Sequence, residues 1–294
     1  MKRGVLVYNP SAGQRDLRQA MVAVIERMRG EGLELVNAPT EGPGHATEIV
    51  RAFVARGAEV VAVCGGDGTV SEAASGIAGT DVPLGVLPGG TSNVLARELE
   101  IPIEMDRAAE LLTTGRRKTL HVFTANDRPL LLWAGVGLDA RVMARTNPWW
   151  KRQLGRAGIA LTALSEFAGY EFPRLEVSVD GEAPQAATFA VACHARRYAG
   201  DWIIAPEASL LSDRVEVLVF SGESRRQLYR LFQGMRLGDS RHLKDSTARL
   251  LKGREVSIRS LERYAVEAHA DGDAVLETPV SIRPVPDTVA VLVP

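Results

Sequence analysis

The stretch Val60-Val61-Ala62-Val63-Cys64-Gly65-Gly66-Asp67-Gly68-Thr69 decides how the rest of the chain reads. Five apolar or small residues running into a glycine turn predict a buried strand of an α/β sheet. Val70-Ser71-Glu72-Ala73-Ala74 follows at helical spacing, so the glycines occupy a strand-to-helix turn. Glycines there let the backbone approach a ligand closely, and a helix start turns unpaired N–H groups toward an anion. Asp67 sharpens this reading. An acid beside a phosphate is repelled unless a cation, usually Mg²⁺, lies between them. The turn therefore reads either as a phosphate site working with a metal or as a generic dinucleotide turn. It lacks the G-x-G-x-x-G spacing of the dinucleotide fingerprint and the lysine of a Walker A loop, which favours a different nucleotide scheme.

Outward from this turn, strands and helices alternate. Gly4 to Asn9 reads as a short strand ending at the tight loop Asn9-Pro10-Ser11-Ala12-Gly13. Leu17, Ala20, Met21, Val24, Ile25 and Met28 recur at helical spacing. Leu33–Val36 reads as a strand, and the loop Thr40 to His45 opens a helix through Arg56. Beyond the glycine turn come the strand Leu84–Leu87, the loop Pro88-Gly89-Gly90-Thr91-Ser92-Asn93 and the helix Val94–Glu98. Such alternation predicts a parallel sheet with right-handed crossovers. All four loops would then lie at the carboxyl edge, where α/β folds bind ligands.

From about His121 the texture changes. Val122–Thr124, Leu130–Ala134, Leu175–Asp180, Thr188–Cys193, Val215–Phe220, Glu255–Ile258, Tyr264–Ala268 and Val289–Val293 read as strands, many separated by turn residues. Helices are expected at Asp139–Ala144, Leu154–Phe167 and Ser224–Met235. The expected fold class is α/β: a parallel α/β nucleotide-binding domain over residues 1–120, then a β-rich, antiparallel, sandwich-like domain over 121–294.

Composition narrows the function. The chain has 294 residues, 46% hydrophobic and 24% charged, as in folded soluble proteins, and a net charge of −1 that argues against a general nucleic-acid binder. Cys64 and Cys193 fall in apolar runs, so a reducing cytoplasm is expected and a disulfide framework is not. Val5–Tyr8 is too short for a signal sequence, and no stretch nears the roughly 18 apolar residues of a membrane span. His45, His121, His194, His242 and His269 are scattered without i, i+4 pairing, which reads as packing or surface roles and implies no zinc. Ser11 has no His/Asp partner pattern, so nucleophilic hydrolysis is not expected. Arg141, Arg145, Lys151, Arg152 and Arg156 surround Trp149-Trp150 without an acid between 141 and 156. This reads either as an anionic bilayer contact or as a solvated helix and loop with inward tryptophans. Arg116-Arg117-Lys118 and Arg225-Arg226 read as ordinary exposed charges.

Taken together the motifs resemble the diacylglycerol kinase catalytic-domain family, which includes bacterial lipid kinases, sphingosine kinases and ceramide kinases, with NAD kinases more distant. The carriers are Asn9 to Gly13, Thr40 with Gly44-His45-Ala46, Gly65 to Thr69 with Glu72, and Pro88 to Asn93 with Ala96-Arg97. Gly135-Val136-Gly137-Leu138-Asp139-Ala140, Ala205-Pro206-Glu207-Ala208 with Asp213, and Asp271-Gly272-Asp273 follow in the family's order.

The resemblance implies an NAD-kinase-like N-terminal fold in which Asn9, Ser11, Gly13, Thr40, Gly65, Gly66, Asp67, Gly68, Thr69, Val70, Ser71, Glu72, Thr91 and Asn93 hold ATP. Backbone N–H groups and hydroxyls suit phosphate oxygens without a lysine. It implies that Asp67 acts through Mg²⁺ and that Asp271 is the general base for a lipid hydroxyl. Asp273 stands where the family usually has glutamate, one methylene shorter. Asp213 resembles the ligand of a structural metal, aided by the carbonyls of Leu210 and Val215, although Arg214 replaces the usual glycine after it and Ser75 replaces a common asparagine. Read locally, Asp271-Gly272-Asp273 also fits a β-turn, and Asp213 a solvated turn residue.

The implied function is an ATP- and Mg²⁺-dependent lipid kinase of phospholipid metabolism. It would phosphorylate the hydroxyl of a neutral lipid such as diacylglycerol or a sphingoid lipid, with Asp67 and Asp271 meeting across a cleft. It would be cytoplasmic, peripheral to the inner face of the membrane, with no nucleic-acid partner; oligomeric state is open, a homodimer included. The alternatives are a soluble-substrate, NAD-kinase-like kinase and a catalytically inactive nucleotide-binding regulator.

Overall fold

Val60–Gly65 forms strand β3, and every residue of it is buried, as an uninterrupted apolar run requires when both faces of a sheet are covered. The structure is a computed structural model describing residues 1–13, 17–146, 156–198, 201–238, 241–244 and 246–294, with backbone alone at 156, 241, 244 and 273–275. The chain divides into two units, Met1–Val122 with Pro286–Pro294 and Phe123–Val285. Pro286–Pro294 thus group with the first unit.

In the first unit, β1 (Lys2–Tyr8), β2 (Leu33–Pro39), β3 and β4 (Leu84–Pro88) alternate with α1 (Leu17–Gly30), α2 (His45–Ala55), α3 (Asp67–Ile77), α4 (Val94–Glu98) and α5 (Met105–Thr114). The strand order is β2-β1-β3-β4, all parallel, and the end of the last strand, β18 (Val280–Val293), adds parallel to β4 through Val291 and Leu84. Parallel pairing puts the loops after β1, β2, β3 and β4 at one edge. α1 buries Leu17, Met21, Val24 and Met28, the i, i+4, i+7 stripe of a helix lying on a sheet. Each such side chain contributes about 1.5–3 kcal/mol.

The second unit is antiparallel. One sheet has the order β14 (Ala248–Gly253), β13 (Val215–Phe220), β10 (Phe189–Cys193), β7 (Trp133–Val136), β16 (Glu267–Ala270) and β17 (Asp273–Glu277). The other runs from the start of β18 through β15 (Val256–Ser260) and β8 (Leu175–Val179) to β9 (Gln185–Ala187), with β5 (Arg116–Ala125) pairing β18 and β6 (Arg128–Leu130). β11 (Arg197–Tyr198) and β12 (Trp202–Ile203) form a small ribbon. Val177, Val179, Val256 and Ile258 of one sheet share a core with Val217, Val219, Ala190 and Ala192 of the other, which makes a sandwich. Among the described residues the α-helices α6 (Leu138–Arg145), α7 (Arg156–Ala168) and α8 (Arg225–Leu237) accompany it. The expected α/β class with a β-rich sandwich is the architecture observed. Among the described residues no helix is long and apolar enough to cross a membrane.

Two strands near the site differ from the sequence reading in where they lie. The run Leu130–Ala134 is not one strand: β6 ends at Leu130 and β7 begins at Trp133, because the intervening amides leave the ladder for a side chain described below. The strand read at Tyr264–Ala268 lies instead at Glu267–Ala270, with a register shift between Ala268 and Ala270.

Candidate active site

β3 ends at Gly65, and α3 starts at Asp67 behind an extended Gly66 that offers no side-chain cap. The first helical bond runs from Val70 N to Gly66 O at 3.1 Å, so the amides of Asp67, Gly68 and Thr69 have no intrahelical acceptor. They form a donor cluster at the positive end of the helix dipole. One turn further, Ser71 is 4% exposed and its Oγ has no hydrogen-bond partner among the described residues. Buried hydroxyls are nearly always paired, which makes this one informative. Asp67 accepts at Oδ1 from Leu95 N at 3.0 Å, which ties the turn to α4.

The other loops close on this turn. Asn9 N donates to Cys64 O at 3.0 Å, and Gly89 N donates to Gly65 O at 3.1 Å. A Cβ on Gly90 would stand 2.4 Å from Gly66 Cα, and one on Gly13 2.5 Å from Gly89 O, so these backbones touch in ways a larger residue forbids. Asn9, Ser11, Gly13, Gly65, Gly66, Gly68, Thr69 and Val70 therefore belong to one loop cluster. Thr40, after β2, is fixed there by Thr40 N donating to Tyr8 O at 2.8 Å, and Thr91 lies between Gly90 and Asn93.

Besides Asp67, three members of the expected nucleotide set hold backbone groups. Asn9 Oδ1 accepts from Ser11 N at 2.9 Å. Asn93 accepts from Gly90 N at 2.8 Å and donates back to Gly90 O at 3.0 Å, bracing its own loop. Glu72 accepts from Gly44 N at 2.7 Å and Ala46 N at 3.3 Å, capping α2, whose N-terminal residue Gly44 provides no side chain. Its carboxylate thereby supplies the cap that the helix start lacks.

In the second unit Asp271 is 8% exposed at a φ of 49°. Its carboxylate accepts from Leu131 N at 2.7 Å on Oδ2, and from Leu132 N at 2.8 Å and Trp133 N at 3.0 Å on Oδ1. These amides are the ones missing from the strand ladder. Three amides converge on this one carboxylate and fix it against the backbone of residues 131–133. The Trp133 indole Nε1 is buried without a partner among the described residues. The side chain of Asp273 lies outside the described residues.

Beside Asp271 sits a pair that sequence spacing did not nominate. Asp139 and His269 are 4% and 0% exposed, with His269 Nε2 2.8 Å from Asp139 Oδ2. Asp139 Oδ1 accepts from Ala140 N at 2.8 Å, and Oδ2 also accepts from the Tyr198 hydroxyl at 3.3 Å. Gly272 N donates to His269 Nδ1 at 3.3 Å, so Nδ1 is the acceptor and Nε2 carries the proton. Gly135 leaves the room: a Cβ there would come 1.8 Å from Asp139 Oδ2. The one available signal was Asp139 behind the Gly135-x-Gly137 turn. Burial and the Asp139 charge push the Tyr198 phenol well above its ordinary value.

Two further expectations concern Asp213 and the basic stretch 141–156. Asp213 is 43% exposed at its side chain and lies 3.5 Å from the Arg254 guanidinium, while the Leu210 side chain is buried and Val215 opens β13. The resemblance implies a cation held by Asp213 with the Leu210 and Val215 carbonyls; the cation that Asp213 meets here is the Arg254 guanidinium, and among the described residues no cluster of three His, Cys, Asp or Glu is found. Of the proposed bilayer patch, Arg141 pairs with Glu166 at 3.2 Å and Arg145 with Glu267 at 2.9 Å. Trp149, Trp150, Lys151 and Arg152, and the side chain of Arg156, lie outside the described residues.

Residues 3–125 match the diacylglycerol kinase catalytic domain, and residues 133–293 match the YegS C-terminal NAD kinase beta sandwich-like domain. A diacylglycerol kinase of Mycobacterium tuberculosis is 30% identical over 294 residues, covering 97% of this chain and 93% of its own. A diacylglycerol kinase of Bacillus subtilis is 24% identical over 277 residues, covering 93% and 90%. A solved diacylglycerol kinase structure from Bacillus anthracis superposes with a TM-score of 0.74 at 22% identity, covering 100% of this chain and 97% of that one, which shows a shared fold. The chain belongs to the diacylglycerol kinase family.

Proposed function

We propose that the protein transfers the terminal phosphoryl group of ATP to the hydroxyl of a neutral lipid such as diacylglycerol, at a membrane surface it contacts peripherally. The observation that carries this reading is the uncapped start of α3, where three amides without intrahelical acceptors and the orphaned Ser71 Oγ converge beside Asp67. Phosphoryl transfer asks mainly for alignment and charge neutralisation. Thr69, Ser71 and the α3 amides would hold phosphate oxygens, and the Gly66–Gly90 approach keeps side chains out of their way. Asp67, a hard oxygen donor at that helix start, suits a hard cation; Mg²⁺ bound with the nucleotide would neutralise phosphate charge there. Asp271 would orient the acceptor alcohol, and the unpartnered Trp133 N–H would donate to a lipid oxygen. The test is transfer of label from ATP, with and without Mg²⁺, to extracted lipids in mixed micelles and, separately, to NAD. Labelled lipid supports the reading; label on NAD alone replaces it with the soluble-substrate alternative, and nucleotide binding without transfer to either acceptor replaces it with a regulator.

A further inference from the structure

The helix α8 of the second unit carries the features of a surface that meets something anionic. Its inner face is apolar: Leu228, Leu231 and Met235 are buried, and at Gly234 an added Cβ would stand 2.4 Å from His242 N, so the chain packs directly on the helix there. Its outer face is basic. Arg225, Arg226, Arg230 and Arg236 are all exposed, no acid interrupts Arg225–Leu237, and among the described residues none of the four arginines makes an ion pair. Arg141, Arg145, Arg174 and Arg259 of the same unit pair with carboxylates, which among the described residues the four arginines of α8 do not. On a chain whose net charge is −1, four unspent cations on one helix face are a local asymmetry. Large apolar side chains stand among them: Tyr229 is 56% exposed and Leu237 55%. Between them opens a groove of about 370 Å³ lined by Tyr229, Arg230, Leu231, Leu237 and Thr247.

We infer that the outer face of α8 docks on an anionic phospholipid bilayer, with the arginines at the headgroup phosphates and Tyr229 and Leu237 in the interfacial layer. Charge complementarity selects a polyanion, and the exposed tyrosine and leucine beside an apolar groove select a lipid surface over a nucleic acid, whose backbone would leave them in water. A bilayer needs no shape match, so a basic face on a helix anchored by its inner residues suffices. This assignment rests on the lipid-kinase reading for the choice of partner, and it places a membrane contact on a helix whose Arg225-Arg226 reads from sequence as ordinary exposed charge.

The test is co-sedimentation of the full chain with phosphatidylcholine vesicles containing or lacking phosphatidylglycerol. Binding at least about tenfold stronger to the anionic vesicles, weakening as salt rises, is expected. The variant R225E/R226E/R230E should lose that preference, and Tyr229→Ser with Leu237→Ser should weaken binding to the same vesicles. Both should keep wild-type turnover on lipid presented in detergent micelles, where no bilayer has to be found. If the charge-reversed chain misfolds by circular dichroism, R225Q/R226Q/R230Q replaces it with the same expected loss. Equal binding to neutral and anionic vesicles, undiminished binding by the arginine variants, or preferential retention on duplex DNA overturns the inference. Arginine-dependent vesicle binding without turnover on any lipid leaves the docking face standing and overturns the proposed function instead.

Discussion

His269 Nε2 lies 2.8 Å from Asp139 Oδ2, and both side chains are buried. Because Gly272 N donates to the other ring nitrogen, the imidazole must present its proton to Asp139, and the pair is fixed in one tautomeric arrangement. The same backbone amide follows Asp271 directly. The chain that buries Asp139 therefore also holds the turn bearing the candidate acceptor carboxylate.

Asp139→Asn should be costly for a reason of counting. The carboxylate receives Ala140 N on one oxygen, and His269 Nε2 and the Tyr198 hydroxyl on the other. An amide has one acceptor oxygen, so either orientation sets its NH₂ against a donor. A loss of about 1–3 kcal/mol is expected, or roughly 2–4 °C in Tm per kcal/mol. Thermal melts of the variant against wild type check it; an unchanged Tm would mean that the pair is not formed in solution.

Asp271→Asn meets the same arithmetic. The new side chain can accept from Leu132 N and Trp133 N with its one oxygen only by turning its NH₂ toward the Leu131 N–H. A destabilisation of about 1–3 kcal/mol is expected from this geometry. A kinetic role shows as turnover reduced on the order of 10²-fold after correction for the folded fraction measured by circular dichroism.

Much of the first unit was legible because its information is local. Val60–Cys64 is apolar throughout, and Gly65-Gly66 follows at once, so strand, turn and helix are written in one stretch. The second unit hides its decisive contacts at long range. Leu130–Ala134 reads as a strand, yet its middle amides belong to Asp271, whose separation from Leu131 is 140 residues. His269 has no partner at helical spacing because its partner is 130 residues away. Pro284 and Pro286 disguised the long strand β18, of which only Val289–Val293 was read, and the alternation in Ala248–Gly253 was too short to register. α5 escaped because its buried face is two alanines and Leu112.

Gly66 and Gly90 separate ligand binding from packing. At Gly66, with φ −83°, an added Cβ would find its nearest neighbour, Gly90 Cα, at an ordinary 3.7 Å. At Gly90 the added atom would stand 2.4 Å from Gly66 Cα. Gly66→Ala should therefore melt within about 2 °C of wild type while raising the KM for ATP roughly tenfold or more, whereas Gly90→Ala should lose about 1–3 kcal/mol of stability. Calorimetry with and without nucleotide reads both quantities. Wild-type nucleotide affinity in Gly66→Ala would remove the turn from the phosphate site.

Glu216 gives the fold a pH dependence of known sign. It is 5% exposed on β13, and burial, reinforced by the nearby Glu207 charge, raises its carboxyl above the ordinary value near 4.5 despite a hydrogen bond from the Glu207 amide. The folded chain thus holds this proton more tightly than the unfolded one. Its contribution is most favourable below pH 4.5 and declines as pH rises through the folded-state value. Glu216→Gln keeps an oxygen for the Glu207 amide and removes the charge. It should melt higher than wild type at about pH 8, with the gap closing as pH falls toward about 4.5; a gap constant with pH would contradict the assignment.

Ser71 should show stability and function pulling in opposite directions. Its Oγ is buried and unpartnered, so in the unliganded protein the hydroxyl carries a desolvation cost with no bond in return. Ser71→Ala removes that cost for the loss of one atom, and the free protein should gain up to about 1 kcal/mol. If the hydroxyl is there to meet a phosphate oxygen, the stabilisation that added nucleotide confers must shrink in the variant, because ligand binding raises Tm only through affinity for the folded state. Melts at a series of Mg-ATP concentrations separate the two effects. The expected pattern is a higher Tm without nucleotide and a smaller nucleotide-induced shift than wild type. An equal shift in both proteins would show that Ser71 is a packing residue and that the phosphate is held by the α3 amides alone.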